Sequence, residues 1–450
     1  MSELRLLPSA LIVWAMTLMV LMGHTAPAIV VLFVVVLSFI LVKQFGQGIL
    51  LTVLGIVSMT VTFFRMRWAP EEITVGAVVM SPTETESGFL VRLSAHNATF
   101  PVFVKELPEG VDTGSLVEVH ARWSESSSPN VSGVIGNGEI TAFTEASGIP
   151  ITVAENFREA VVRTVGEASQ GLIPGMVLGD TSLQDAAQQE LFIETGLSHL
   201  SAVSGANVAI VLTAVFLLCR WIGLGPIVQV LTGGLALLGF VFLVGTEPSV
   251  LRASVAGIVG LLAVVNSTKA QPIHSLCLGV IGLILWDSDM AASFGFALSC
   301  AATASIVALT PMFHRLLGAF NLPDILTRAL AVAIAADIAT MPIVALMAGE
   351  VSLVSVLVNV LVAPVTAPIT VLGLIAAGLA QLPIDFPAAI LLKMIEPCTW
   401  WIYHIAAGAN QIPISVIETS PMTVMIVYGW LVAGLLYYGQ HGTGAPDLGR

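Results

Sequence analysis

Long apolar runs bracket this chain, and one interval of alternating pattern interrupts them. Leu6–Met22, Ala26–Val42 and Gly48–Phe64 are each long enough to cross about 30 Å of hydrocarbon. No small-residue cleavage site follows the first run, which predicts three membrane helices rather than a removed leader. From residue 68 to about 147 the pattern changes to short alternating runs: "ITVGAVVM", "GFLVRLSA", "FPVFVKEL", "SLVEVHARW" and "GEITAFTE". Clusters of Pro, Gly, Ser and Asn separate them, so five or six strands with turns are predicted. A small β-barrel or sandwich follows, and a five-stranded OB-like barrel fits the length.

Residues 151–170 place apolar side chains at helical spacing with charges opposite, which predicts an amphipathic helix. "LIPGMVLGDTSL" reads as a loop. "SLQDAAQQELFIETG" reads as a second short helix, with Ser182 and Asp185 as a capping pair and Gly196 as its stop. From Leu197 the chain is nearly continuous membrane-type sequence, with spans at 197–218, 227–244, 249–266, 273–286, 290–310, 326–348, 364–380, 388–407 and 422–438. The run Val351–Val362 is short and meets two prolines, which predicts a re-entrant or broken helix. The expected fold is a mainly α polytopic membrane protein of about 11–12 transmembrane or re-entrant helices, with a small all-β OB-like soluble domain inserted after the third. Its expected divisions are 1–67, three membrane helices; 68–147, the β domain; 148–196, amphipathic helices and linker; 197–440, the main membrane domain; 441–450, a polar tail.

Composition agrees: 56% of residues are hydrophobic and 10% charged, with mean hydropathy +0.95. A soluble domain carries about a quarter charged residues. The net charge of −13 is concentrated early, since residues 1–196 hold 9 Lys/Arg against 19 Asp/Glu. That distribution weakens any nucleic-acid reading based on a basic patch. Arg65 and Arg67 after the third helix oppose Lys43 after the second, so charge leaves the orientation open. An acidic, cysteine-free β domain suits the extracytoplasmic side. Cys219, Cys277, Cys300 and Cys398 lie in apolar segments and read as small buried hydrophobes.

Polar groups within apolar runs are the candidate functional residues, because they are costly in a bilayer unless they line an interior. Asp287 and Asp289 read as a connecting turn, and Glu396 as a carboxylate near a helix start; His274 and His404 read as interfacial or hydrogen-bonded core groups. Arg252 and Asp337 are harder to place. They read either as a structural pair, with Glu247 competing for Arg252, or as members of a polar path. The densest signal is "TGLSHLSAVSGANV", Thr195–Val208. On a helix, Ser201, Ser204 and Asn207 would form a polar stripe with His199 at its edge. Ser201, Gly205 and Ala209 would form a small-residue packing stripe.

No catalytic residue, metal ligand or cofactor site is assigned. Ser204-Gly205 lacks the G-x-S-G form, and His199 on the same helix would point poorly at Ser204. There is no H-E-x-x-H, no histidine cluster at ligand spacing and no Walker A lysine motif.

These motifs together resemble the ComEC competence proteins, the inner-membrane channels of bacterial DNA uptake. Their hallmark helix, roughly H-L-L-A-[IV]-S-G-L-H-V after a "tG-l-S" lead-in, is similar to "TGLSHLSAVSGANV". "VLGDTSL", "PSVLRASVAG", "WDSDMAASFGFALSCAAT" and "ATMPIVALMAGEVSLVSVLVNVLVAP" follow in the family's order. The resemblance implies a channel carrying single-stranded DNA across the cytoplasmic membrane during natural transformation, not an enzyme. Separate capture and motor proteins, and a nuclease, would assist it. His199, Ser201, Ser204, Asn207, Arg252, Asp337 and Asn359 are the candidate path residues, with Gly205 and Ala209 packing. Asn207 stands where relatives carry histidine, which keeps hydrogen bonding and loses titration. No H-x-H-x-D-H follows, so the nuclease domain of long family members has no counterpart in this sequence. The competing readings are a secondary transporter of a small solute, or a non-conducting scaffold relative.

Overall fold

The computed structural model describes residues 4–66, 70–85, 88–95, 98–108, 110–111, 113–125, 134–201, 203–265, 271–412 and 415–441. Arg67, Asn266 and the tail from 442 lie outside the described residues. The chain divides into two compact units. One holds residues 1–160, 205–297 and 377–385; the other holds 161–204, 298–376 and 386–450.

The first unit opens with α1 (Leu7–Leu21), α2 (Thr25–Leu41) and α3 (Phe45–Met66). Gly55 lets α3 approach closely, since a Cβ there would stand 2.6 Å from Leu32 Cδ1. Five strands follow: β1 (Ile73–Thr85), β2 (Gly88–Ala95), β3 (Ala98–Val104), β4 (Leu116–Glu125) and β5 (Val134–Thr144). They close into a barrel in the order β1-β2-β3-β5-β4, with β3 and β5 parallel and the other pairs antiparallel. Alternation puts Val91, Leu93, Val102, Val104, Val117 and Val119 inside. Gly138 admits the neighbouring strand, because a Cβ there would meet the His120 carbonyl at 2.1 Å.

Part of the barrel's aromatic set packs on its own core. Phe100 is buried and stands edge-on to Trp123, with ring centroids 5.7 Å apart, while Phe89 also packs on the core. The Trp123 indole donates to the Glu71 carbonyl at 2.8 Å. After α4 (Ile149–Thr164), most of which lies in this unit, come α5 (Glu167–Gln170), α6 (Leu172–Leu178) and α7 (Ala186–Glu194) in the second. "LIPGMVL", expected as a loop, is therefore helical, and all seven of its residues are buried. Asp185 itself is the N-cap of α7, accepting from the Gln188 N–H at 2.6 Å, while Ser182, expected as its capping partner, donates instead to Asp180.

The first unit resumes with α8 (Gly205–Trp221), α9 (Pro226–Val244), α10 (Pro248–Val265) and α11 (Pro272–Trp286). The expected span from 197 begins instead at Gly205, preceded by a short 3-10 turn at Ser198–Leu200. Serine and glycine favour the cap and turn conformations over the helix interior, so the backbone leaves the helix where they cluster. The turn Ser288–Ala292 follows α11 and is locked to α3, with Arg65 paired to Asp289 and Thr62 donating to Ser288 at 3.2 Å. Burial pushes the nearby Asp287 carboxyl up, and the Arg65 charge opposes it.

The second unit continues with α12 (Phe294–Leu317), whose first turn still belongs to the first unit, then α13 (Asp324–Ala348). The strand β6 (Glu350–Ser352) leads into α14 (Ser355–Leu379) and α15 (Phe386–Asn410). Finally β7 (Val416–Glu418) pairs antiparallel with β6 before α16 (Pro421–His441). The helix break expected near Val351–Val362 is absent: α14 runs unbroken through Pro364 and Pro368. The Trp401 indole of α15 donates to the Leu361 carbonyl at 3.0 Å, in the turn before the first of these prolines. Glu396 also departs from expectation. It lies well inside α15, accepting from the Gly166 N–H and from Lys393, each at 2.8 Å.

Among the described residues, five helices are long and apolar enough to cross a membrane: Phe45–Met66, Pro226–Val244, Phe294–Phe320, Asp324–Ala348 and Ser355–Leu379. Shorter apolar helices accompany them, α1, α2, α8, α10 and α11. Exposed Leu231, Leu235, Leu238 and Phe242 on α9 present the apolar exterior that lipid covers.

Candidate functional site

Two polar constellations lie among the helices, one in each unit. In the second unit the centre is Gly196, which follows α7 with φ +73°. Its backbone takes a conformation that favours glycine, and the position is crowded: a Cβ would stand 2.6 Å from Ser355 Cβ. The His199 imidazole hydrogen-bonds back to the Gly196 backbone. Asn359 Nδ2 donates to the Gly196 carbonyl at 3.5 Å. On the other side of this contact, Ser355 Oγ donates to Asp337 Oδ1 at 2.7 Å. Tyr428 OH lies 3.4 Å from Asp337 Oδ2 and 2.8 Å from Met341 Sδ.

His199, Asn359 and Asp337, distant in sequence, are thus gathered around one glycine and one serine. Ser355, Tyr428 and Gly196 escaped the sequence reading as members of this group. The serine and tyrosine carry no charge and sit beside apolar residues, so only the fold reveals them. The hydrogen bonds described for Asp337 come from hydroxyls, which satisfy a carboxylate without a cation.

In the first unit the centre is the start of α8. Gly205 lies against α10: a Cβ would stand 2.8 Å from Arg252 Nη2, 3.1 Å from Ala253 Cβ and 3.2 Å from the Ser249 carbonyl. Arg252 and Asn207 are both buried, at 8% and 6% exposure. Close approach at Gly205 lets the guanidinium lie across the helix start, where a larger residue would displace it. Ala209, the next member of the expected packing stripe, is exposed. Ser201 and Ser204 precede α8, so no continuous stripe of Ser201, Ser204 and Asn207 runs along that helix. Glu247, expected as a competitor for Arg252, sits in the loop before α10 and feels the charge of Arg92 on β2.

Burial outweighs that attraction and pushes the Glu247 carboxyl up. A carboxyl raised in the folded state stabilises below its unfolded pKa and loses that contribution as pH rises through its folded value. Glu247→Gln is therefore expected to be more stable than the parent at neutral pH. The difference should shrink as pH falls toward the ordinary carboxylate range, read by thermal unfolding in detergent; a pH-independent difference would remove the burial explanation.

Among the described residues, no group of three or more His, Cys, Asp or Glu is placed to hold a metal ion. The geometry offers hydrogen bonding and one buried cation within a helical membrane core.

These features define a polytopic membrane protein with a five-stranded barrel inserted after its third helix. A family model described as competence protein matches residues 176–441, more than half of the chain, and the chain belongs to that family. Recombination protein 2 of Haemophilus influenzae is 24% identical over 182 residues, covering 39% of this chain and 23% of that protein. ComE operon protein 3 of Bacillus subtilis is 26% identical over 147 residues, covering 33% of this chain and 19% of that protein. The matched stretches thus span less than a quarter of either relative. No solved structure matches the chain. Both polar constellations fall within the family-matched residues.

Proposed function

We propose that the chain forms a channel for single-stranded DNA across the cytoplasmic membrane during natural transformation. The observation that carries this reading is the convergence of His199 and Asn359 on the Gly196 backbone, inside the family-matched region. A conduit for a polyanion needs a wet lining that does not trap phosphates, and neutral amide and imidazole groups meet that need. Arg252 would supply attraction at the other constellation. Capture, motor and nuclease functions would fall to separate proteins, with the lipid bilayer around the helices.

The strand order and the parallel β3–β5 pair support an OB-like identity for the barrel. We place this domain on the extracytoplasmic side, in docking rather than strand binding, because it is acidic and binding a phosphate backbone needs cations. The divisions at 68–147 for this domain and 197–440 for the channel belong to the same proposal.

A second reading, secondary transport of a small solute, is favoured by Asp337, a membrane carboxyl held by Ser355 and Tyr428. Deletion of the gene in a transformable host separates the two. Uptake of labelled DNA is expected to be lost; normal uptake with loss of a solute flux would replace the channel by the transporter.

A further inference from the structure

Four buried polar atoms cluster where α6 gives way to α7. Gln184 and Gln188 are each 8% exposed. Among the described residues, no hydrogen-bond partner reaches Gln184 Nε2, Gln184 Oε1, Gln188 Oε1 or Ser201 Oγ. They are neighbours, because α6 presents two glycines to them. A Cβ on Gly175 would stand 2.9 Å from the Ser201 carbonyl and 3.2 Å from Gln184 Nε2. A Cβ on Gly171 would stand 2.6 Å from Gln188 Oε1. Unpaired buried amides are costly, and native proteins satisfy such groups with ordered water or a ligand.

The placement of this cluster is as informative as its composition. The helix α14 is one of the five long and apolar enough to cross a membrane, and α15 has the same 25 residues, about 37 Å of helix. Ser169, just before α6, receives a hydrogen bond from Thr399, midway along α15, at 2.8 Å. Val177 packs on Gly373 of α14, where a Cβ would stand 2.4 Å from Val177 Cγ2. Glu194, at the end of α7, accepts from Asn410 at the end of α15 at 2.7 Å. The segment from Ser169 to Glu194 therefore lies beside these helices between Gly373 of α14 and the end of α15 at Asn410, interrupted between α6 and α7. Irregular backbone at such depth persists where it is enclosed by protein or lines a water-filled cavity.

We propose that this interruption is a hydrated pocket on the strand's path, where Gln184, Gln188 and Ser201 meet water and the uncharged edges of DNA bases. The proposal rests on the channel reading above. Amides offer a donor beside an acceptor, the pattern that base edges present in return. Phosphate is the poorer fit, because residues 171–189 carry Asp180 and Asp185 and no Lys or Arg.

The test uses the full chain with Cys219, Cys277, Cys300 and Cys398 replaced by alanine. Ser201→Cys, nearly isosteric, and Gln184→Cys are treated in membranes with a small water-soluble maleimide; Ala331→Cys, at 0% exposure in α13, is the dry control. A dry core position reacts only through local opening, so both pocket cysteines are expected to react at least about a hundredfold faster than the control. Their modification is expected to lower uptake of labelled DNA in the host. Reaction at the control's rate overturns hydration, and rapid reaction with unchanged uptake overturns the place on the path. If deletion of the gene leaves DNA uptake normal, the channel reading fails instead, while the labelling rates still report whether the pocket is wet.

Discussion

Replacing Arg252 by alanine is expected to lower DNA entry by about tenfold to a hundredfold, the range set by losing one charged hydrogen-bonding group worth about 1.5–3 kcal/mol. The side chain is buried on α10, its guanidinium beside the start of α8 at Gly205. Alanine removes the charge and leaves a void, so folding and conduction would fall together. Arg252→Gln separates them, since it keeps most of the volume and hydrogen bonding while removing the charge. Its membrane level is expected to stay near that of the parent while DNA entry still falls. Parental entry at a parental protein level would remove the charge from the path.

Gly196→Ala is expected to be the most damaging single-methyl change in the second unit. The positive φ costs a non-glycine residue about 1–2 kcal/mol. The added Cβ at 2.6 Å from Ser355 Cβ forces α14 away, and overpacking of this kind costs about 1–3 kcal/mol more. Displacing Ser355 also disturbs its bond to Asp337, and displacing the Gly196 carbonyl disturbs Asn359. Folded protein and DNA uptake are both expected to drop sharply. Ser355→Gly in the same chain clears the methyl without relieving the backbone, so it should restore part of the stability lost. The coupling between the two substitutions, read as a double-mutant cycle of thermal unfolding, should be stabilising. Additive losses would mean that the two residues do not press on one another.

Much of the architecture is legible without coordinates. Each strand of the barrel overlaps one of the five alternating runs, with β1, β3, β4 and β5 extending past theirs, because burial on one face imposes a period of two. Each of the helices α8 to α16 overlaps one of the apolar runs, with α8 starting eight residues later and α14 nine residues earlier than expected, because lipid demands saturated backbone hydrogen bonds over a fixed thickness. Local chemistry misled at three places. "LIPGMVL" carries proline and glycine that signal a loop, yet packing on α14 and on the Ser201 turn holds it as α6. "VLVAPVTAP" signals a break, yet α14 runs on through both prolines, with the Trp401 indole of α15 bonded to the Leu361 carbonyl beside them. "SHLSAVS" has helical spacing, yet its small polar residues form the turn that precedes α8.

The candidate site divides along the same line. Sequence alone marks His199, Asn207, Arg252, Asp337 and Asn359, because a charge or amide in an apolar run is conspicuous wherever it stands. It cannot say which of them meet. Their separations along the chain exceed the reach of any local rule, and the partners that complete the group, Ser355 and Tyr428, carry no such mark. Thus the sequence by itself determined membership of the membrane class, the inserted barrel and the identity of the costly polar residues, since these follow from burial cost and periodicity. Only the tertiary structure decided that Asn359 and His199 share the Gly196 backbone, that Arg252 lies against Gly205, and that Gln184 and Ser201 both lie against Gly175. Those juxtapositions depend on helix packing, where a missing Cβ at Gly196, Gly205 or Gly175 sets how closely two backbones approach.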